Sequence, residues 1–395
     1  MSDLLLQSFL SLVVSLLDWS FLWLPILLVF MLWEVYLQYI RANYIKTNEM
    51  ILLEIKLPKE VYKSPQAMEL VITSLHQPAK GNLIDQYVSG KVPAWSSLEI
   101  VSLGGQLHFY IRMAKFYRNL VEASIYSQFP EAEVFEAEDY TRAINFGQPN
   151  SPWKFWAIEW LFGEPDPYPI KTYVDYGLDK DPKEEYKIDP LLPLLEFMGG
   201  IGPTHQIWVH IMLKAPPATW KKDVEAELNK LLKRDKEKKE GETKMDWGEF
   251  ALSSGEREKV KAVEKSLAKL AFSVGIRTAY MARDDTFHPI NKVGLLTNFK
   301  QFGAQNLNSF KPQFLYSYEY FWEDFMGMRK RYLENKAFLF CRQRAYHYPP
   351  CNHKPIVMTT EEIATLFHIP GSIAATPTLE RIPSKRGEPP TNLPV

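Results

Sequence analysis

The sequence is poor in cysteine: two in 395 residues cannot build a disulfide framework, and a reducing compartment fits that usage. It has almost no net charge. A balance of −1 gives no global basic field, so no direct nucleic-acid binding is expected. It lacks the short signatures of common chemistries as well. No G-x-x-x-x-G-K-[ST] occurs, and "GGIGPTHQ" (199–206) has glycines but no lysine after them, so nothing there would cradle and neutralise phosphates. G-x-S-x-G, H-E-x-x-H and C-x-x-C are absent too. Asp284-Asp285 with His288 reads as solvated turn residues. Cys341, His347, Cys351 and His353 crowd into "CRQRAYHYPPCNH", and four such side chains could hold zinc, but their spacing matches no common finger. The expectation is free thiols in an aromatic loop, with no metal, no cofactor and no catalytic residues.

The N-terminus also lacks a basic side chain in Met1–Asp3, and no Ala-x-Ala follows its apolar run, which disfavours a cleaved signal peptide. What it has is apolar length. "LLLQSFLSLVVSLL" (4–17) is too short to cross a bilayer alone and reads as an interfacial segment or one arm of a hairpin. "WSFLWLPILLVFMLWEVYLQYI" (19–40) reaches about 20 residues, enough for a hydrocarbon core of about 30 Å. Trp19, Trp23, Trp33, Tyr36 and Tyr39 suit an aromatic belt, and Pro25 is tolerated in such a helix. Arg41, Lys46, Lys56 and Lys59 follow the run and nothing basic precedes it. The positive-inside rule then places the C-terminal bulk in the cytoplasm, on a cell (inner) membrane.

An aromatic content of 14% suits sheet-rich cores. After the membrane, "NEMILLEIKLP" (48–58) reads as a strand, and Ser64-Pro65 opens a helix. "SSLEIVSLGGQLHFYIR" (96–112) holds two alternating runs split by Gly-Gly, a hairpin signal because both glycines accept positive φ. A helix over 115–130 and a strand over 132–139 complete a β-α-β-β-α-β order, that of a ferredoxin-like unit with helices on one face of an antiparallel sheet. Trp153, Trp156 and Trp160 lie in what reads as an aromatic loop or short helix packed on that sheet. A looser second unit follows, with strands at 171–178, 205–216 and 273–285, a short helix at 189–200, a charged stretch at 217–247 and a helix capped by Ser253 and Glu256.

The expected fold class is therefore α+β: a transmembrane helix or helical hairpin followed by tandem ferredoxin-like βαββαβ sandwich units. The expected boundaries are 1–45 (anchor), 46–142 (first unit), 143–170 (connector), 171–312 (second unit), 313–375 (C-terminal subdomain) and 376–395 (Pro-rich tail). The membrane-anchor residues would be Trp19, Trp23, Trp33, Tyr36, Tyr39 and Arg41.

Several segments together resemble a known family. They are "SLEIVSLGGQLHFYIR", "RNLVEASIYSQFPEAEVFEAEDYT" (118–141), "SSGEREKVKAVEKSLAKLAFSVGIRTAYMAR" (253–283), "KQFGAQNLNSFKP" (300–312), "PIVMTTEEIATLFHIPG" (355–371) and "TPTLERIPSKRGEPPTNLP" (376–394). In this order they are similar to the N-terminal, membrane-anchored region, a domain of unknown function, of bacterial type IV secretion and conjugation ATPases of the HerA/FtsK-like class. In that family the Pro-rich segment leads into the motor domain. No phosphate-binding loop occurs in these 395 residues, so the resemblance does not carry ATP hydrolysis onto them. It implies a non-catalytic anchor and docking module for a separate, or separated, motor ATPase. Thr378, Leu379, Arg381, Lys385, Arg386, Pro389 and Pro390 would be its partner-binding residues, and membrane lipid its other partner. The alternative is a self-assembling structural subunit, a homo-oligomer joined through sheet edges with no motor.

Overall fold

The computed structural model describes residues 18–58, 63–147, 151–179, 188–232, 252–315, 322, 324, 327–348, 351, 353–371 and the backbone of 381–382. The first apolar run and residues 233–247 of the charged stretch lie outside these residues. The chain forms two compact units, Met1–Asn48 with Ala79–Val92, and Glu49–Pro78 with Pro93–Val395.

The elements follow the apolar patterning. Helix α1 (Ser20–Thr47) is 28 residues long, about 42 Å at 1.5 Å per residue, and is long and apolar enough to cross a membrane. Only 6% of its most apolar window is buried in the protein, so it is not a core helix among the described residues. Then come β1 (Met50–Pro58), α2 (Pro65–Ser74), α3 (Leu83–Tyr87), β2 (Trp95–Leu103), β3 (Gln106–Ala114), α4 (Arg118–Gln128), β4 (Glu133–Glu136) and β5 (Trp153–Phe162). The second half holds α5 (Leu192–Gly199), β6 (His205–Lys214), α6 (Trp220–Leu231), α7 (Ser254–Ala268), β7 (Ala271–Arg283), α8 (Ile290–Phe299), β8 (Phe310–Phe314), α9 (Met328–Gln343), β9 (Ile356–Thr359), α10 (Thr360–Leu366) and β10 (Arg381–Ile382).

All strands join one sheet of order β10-β1-β3-β2-β6-β7-β5-β8, with β4 also on β1 and β9 on β7. Among the described residues every pairing is antiparallel except β1 with β10. The Gly104-Gly105 turn is as the sequence predicts. Both residues have positive φ (61° and 91°), and an added Cβ would meet the Pro203 and Ile201 carbonyl oxygens. Outward from the central β2–β6 pair the order is β2-β3-β1-β4 on one side and β6-β7-β5-β8 on the other. Within each half, the second, third, first and fourth strands in chain order occupy the same places.

Three expectations change. Trp153, Trp156 and Trp160 belong to β5, where Trp156 and Trp160 pack in the core, rather than to a loop or short helix. The run Trp-x-x-Trp-x-x-x-Trp obscures a strand whose side chains are apolar on both faces. Residues 171–178 form turns, not a strand, so β5 opens the second half. Helices also do not cover one face alone. Leu98, Ile100, Ile207, Val209 and Ile276 face a core with α2, α4, α5, α8 and α10, while Val101, Trp208, Ala279 and Phe155 face a second core with Tyr140, Ile144 and α9. A sheet covered on both faces explains why β2, β6 and β7 are nearly unbroken runs of buried residues.

Candidate functional site

Each of six strands carries at least one ionisable or phenolic side chain on its second face. Register places these side by side. Glu54 (β1) lies opposite Tyr110 (β3), Tyr110 opposite Glu99 (β2), Glu99 opposite His210 (β6), His210 opposite Arg277 (β7), and Arg277 opposite Glu159 (β5). One polar row thus crosses six strands beneath α9 and the segment after it.

The first cluster centres on Glu99, fully buried. Arg344 grips it with two parallel bonds, Nε to Oε1 and Nη2 to Oε2, both 3.0 Å. Arg344 Nη1 also donates to both oxygens of Asp139 at 2.9 and 2.8 Å and to the Arg342 carbonyl. Ser97 donates to Glu99 Oε1, and the Tyr140 hydroxyl donates to Oε2 at 2.6 Å. Burial would push the Glu99 carboxyl up, but the Arg344 charge and these hydrogen bonds hold it at about 2. Burial drives the His210 imidazole down to about 3, so it is neutral. With Tyr140 donating to Glu99, the 2.7 Å contact assigns the His210 proton to Nε2, which donates to the Tyr140 oxygen and leaves Nδ1 as an unpaired buried acceptor. Arg344 closes α9 in the left-handed region (φ 51°), a conformation uncommon for a side-chain-bearing residue and held here by its ion pairs.

The second cluster centres on Arg277, also fully buried. Its Nε donates to Glu159 Oε1 at 3.0 Å, and its Nη2 donates to the same oxygen and, at 3.0 Å, to the Ala345 carbonyl. The guanidinium lies 5.9 Å from the Phe340 and Tyr346 ring centres. His353 Nδ1 bonds Glu159 Oε2. Hydrogen bonds to Cys351 and Glu159 push the His353 imidazole up to about 10. Burial would raise Glu159, but His353 and the Arg277 charge hold it below the usual carboxylate range. Burial pushes the Cys341 thiol up to about 11, which makes it a poor thiolate.

Of the four side chains weighed for zinc, Cys351 and His353 do come together, and with Glu159 their ligand atoms lie within 4.8 Å of one another. Cys341 and His347 lie outside that trio; His347 Nε2 bonds the Met212 carbonyl instead. The trio fits a metal poorly. The Arg277 guanidinium already occupies one Glu159 oxygen and His353 the other, so a cation would face a buried positive charge at contact distance.

A third polar seam joins α2, α7 and α10 and explains the T-T-E-E stretch. Thr359 caps α10 by accepting from Glu362 N, and Glu362 accepts from Thr359 N at 2.8 Å and from Ile170 N at 3.0 Å. Burial nonetheless pushes the Glu362 carboxyl up to about 7. Glu361 takes Thr172 Oγ1 at 2.7 Å and the Lys265 ammonium, and Glu69 takes Lys269, Thr360 and Tyr173. A cleft of about 480 Å³ opens beside this seam, lined by Lys171, Lys261, Lys265, Lys269, Asp175 and Glu361 among others. Lys265 and Lys269 are paired with Glu361 and Glu69, so the lining presents mixed charge rather than an anion-binding field.

The residues singled out from sequence lie elsewhere. Trp19, Trp23, Trp33, Tyr36 and Tyr39 are exposed along α1, and Arg41 is half-buried in its last turns. Arg381 and Ile382 pair in parallel with Leu57 and Pro58, so at this point the tail is a strand on the sheet and not free. Thr378, Leu379, Lys385, Arg386, Pro389 and Pro390 lie outside the described residues. The sequence reading missed Glu54, Glu99, Glu159, His210, Arg277 and Arg344. All but Arg344 carried a signal: a single ionisable side chain inside a run of strand residues, as in "ILLEI", "SLEIV", "AIEWL", "WVHIM" and "GIRTA".

No curated protein matches the chain. The family described as a domain of unknown function, DUF8128, matches residues 42–381, which takes in strands β1 to β9 and all three polar seams. The chain belongs to the DUF8128 family.

Proposed function

We propose that this chain is a non-catalytic membrane anchor and docking module, which holds a HerA/FtsK-like motor ATPase of a type IV secretion or DNA-transfer system at the inner face of the cell membrane. Its body would be a duplicated ferredoxin-like unit, a reading supported by the repeated strand order of the two halves. One observation carries the anchor reading. The start of the Pro-rich tail, Arg381–Ile382, is hydrogen-bonded to β1, the strand that directly follows the apolar helix α1 in the chain. Tension on the tail would thus pass through β1 to the membrane segment. The buried clusters suit a load-bearing scaffold better than an active site, because their charges are spent on one another.

Edge-to-edge self-assembly is the weaker reading. At one edge β4 is four residues long with Glu133 and Glu136, and at the other β8 carries Pro312, which cannot donate to a new ladder.

The test is an affinity pull-down of the full-length protein from detergent-solubilised native membranes, with bound proteins identified by mass spectrometry. The expected result is co-recovery of a HerA/FtsK-like ATPase, reduced when residues 383–395 are deleted. Recovery of this protein alone as a defined oligomer overturns the docking reading, and equal recruitment without the tail overturns the tail's role.

A further inference from the structure

The loop between α2 and β2 is built inside out. In and around α3, Asp85 and Gln86 turn back onto the loop's own backbone: Asp85 closes a capping box with Asn82, and Gln86 Nε2 donates to the Gly81 carbonyl at 3.0 Å. Leu83, Ile84 and Val88 point outward instead, 71%, 67% and 63% exposed, with Tyr87 beside them. In water this is the wrong way round, since adjacent apolar side chains are left wet while polar ones face the chain.

The same loop is clipped to α1. Tyr87 stacks on Trp33 with ring centres 5.9 Å apart, and Tyr36 donates to the Tyr87 carbonyl at 3.2 Å. Gly90 has φ 68°, and a Cβ there would sit 2.4 Å from the Ile40 carbonyl oxygen, so only glycine allows this approach. Leu37 and Ile40 are the buried residues of α1. The clip therefore meets the apolar helix at Trp33 and Tyr36, the aromatic side chains that would mark a bilayer boundary. Its amides are satisfied internally, Gln86 N by Asn82 O, Val88 and Ser89 N by Ile84 O, and Lys91 N by Asp85 O, as a segment entering an apolar medium requires. Lys80 and Lys91 flank it, long enough to reach lipid headgroups.

We infer that residues 82–88 form an interfacial membrane foot. Leu83, Ile84 and Val88 enter the boundary between headgroups and acyl chains, about 5–10 Å deep, and fix the depth and rotation of α1. The occupant of this apolar surface is the bilayer itself, argued from its continuity with the apolar helix that it is clipped to. The inference rests on the reading that α1 crosses the membrane, and the experiment separates the two.

Three variants of the full-length protein that each add one exposed thiol, Ile84→Cys, Val88→Cys and Val29→Cys, are labelled with an environment-sensitive fluorophore. The native Cys341 and Cys351 are buried and stay unmodified. Each is reconstituted into vesicles of phosphatidylcholine with a minor share of phosphatidylglycerol, carrying nitroxide lipids labelled near the headgroup or near the chain end. The expected result is that the labels at 84 and 88 lose iodide quenching and are quenched most by the headgroup-proximal nitroxide, while the label at 29 is quenched most by the deep one. Full iodide access at 84 and 88 with a deeply quenched label at 29 overturns the foot and leaves the span standing. Absence of lipid quenching at all three positions overturns both.

Discussion

The firmest consequence of the buried row concerns Arg344. Replacing it with leucine leaves Glu99 at zero exposure without its cation, and leaves Asp139 to find water at its partly exposed edge. Breaking a buried pair from one side costs about 3–5 kcal/mol, because a charge stays behind in a low-dielectric site. For a body of this size that is a fall in melting temperature of roughly 4–7 °C. Joint replacement, Glu99→Met with Arg344→Leu, removes both charges of that pair and leaves Ser97, Tyr140 and the partly exposed Asp139 to re-pair, so it should lie within about 2 kcal/mol of the wild type. The effect has a pH signature. The folded Glu99 pKa of about 2 lies below its ordinary 4.5, so in the wild type Glu99 contributes stability above pH 4.5 that is lost as pH falls towards 2. Without Arg344, burial alone raises that pKa, and the variant's deficit shrinks as pH falls from 8 to 4.5. The assay is thermal unfolding of the full chain in mild detergent, followed by tryptophan fluorescence across that range. A single-variant loss below about 1 kcal/mol, or additive effects in the double variant, would refute the reasoning.

Two further outcomes follow from the same contacts. Glu362 has a folded pKa of about 7 against an ordinary 4.5, so its contribution is full below pH 4.5 and is lost as pH rises through 7. Glu362→Gln mimics the protonated form and should gain on the wild type between pH 5 and 8 by up to about 3 kcal/mol; parallel stability curves in the same thermal assay would contradict this. Gly275 lies under the Tyr346 ring, where a Cβ would come within 2.4 Å of its atoms. Gly275→Ala should cost about 1–3 kcal/mol by overpacking, measured by denaturant titration, and Tyr346→Leu should recover part of it. A neutral Gly275→Ala would mean that the ring does not lie on β7.

These contacts change how the familiar-looking segments are read. The T-T-E-E stretch is among the residues that carry the resemblance to secretion ATPases, yet its side chains cap a buried helix and tie it to Ile170, Thr172, Lys265 and Glu69. Its residue pattern is accounted for by the folding of this body alone. The tail differs: Arg381 and Ile382 pair with β1, and the basic and proline-rich residues that follow are the ones proposed to meet a partner.

The sequence by itself determined the local structure wherever one rule dominated. Length and apolarity set α1, alternation around Gly104-Gly105 set the β2–β3 hairpin, and Ser253 with Glu256 set the start of α7. It failed at β5, because a strand apolar on both faces has no period of two to read, and at 171–178, where Thr172 and Asp175 bond each other locally and make turns. Only the tertiary structure decided the charged layer. Glu54, Glu99, His210, Arg277 and Glu159 come from five strands, and their alignment depends on a register that cross-strand pairing sets over the whole sheet. Arg344 reaches Glu99 from 245 residues away, through a left-handed cap that no local preference favours. Such long-range pairs form because an unpaired charge in that layer would cost more than ordering the chain that neutralises it.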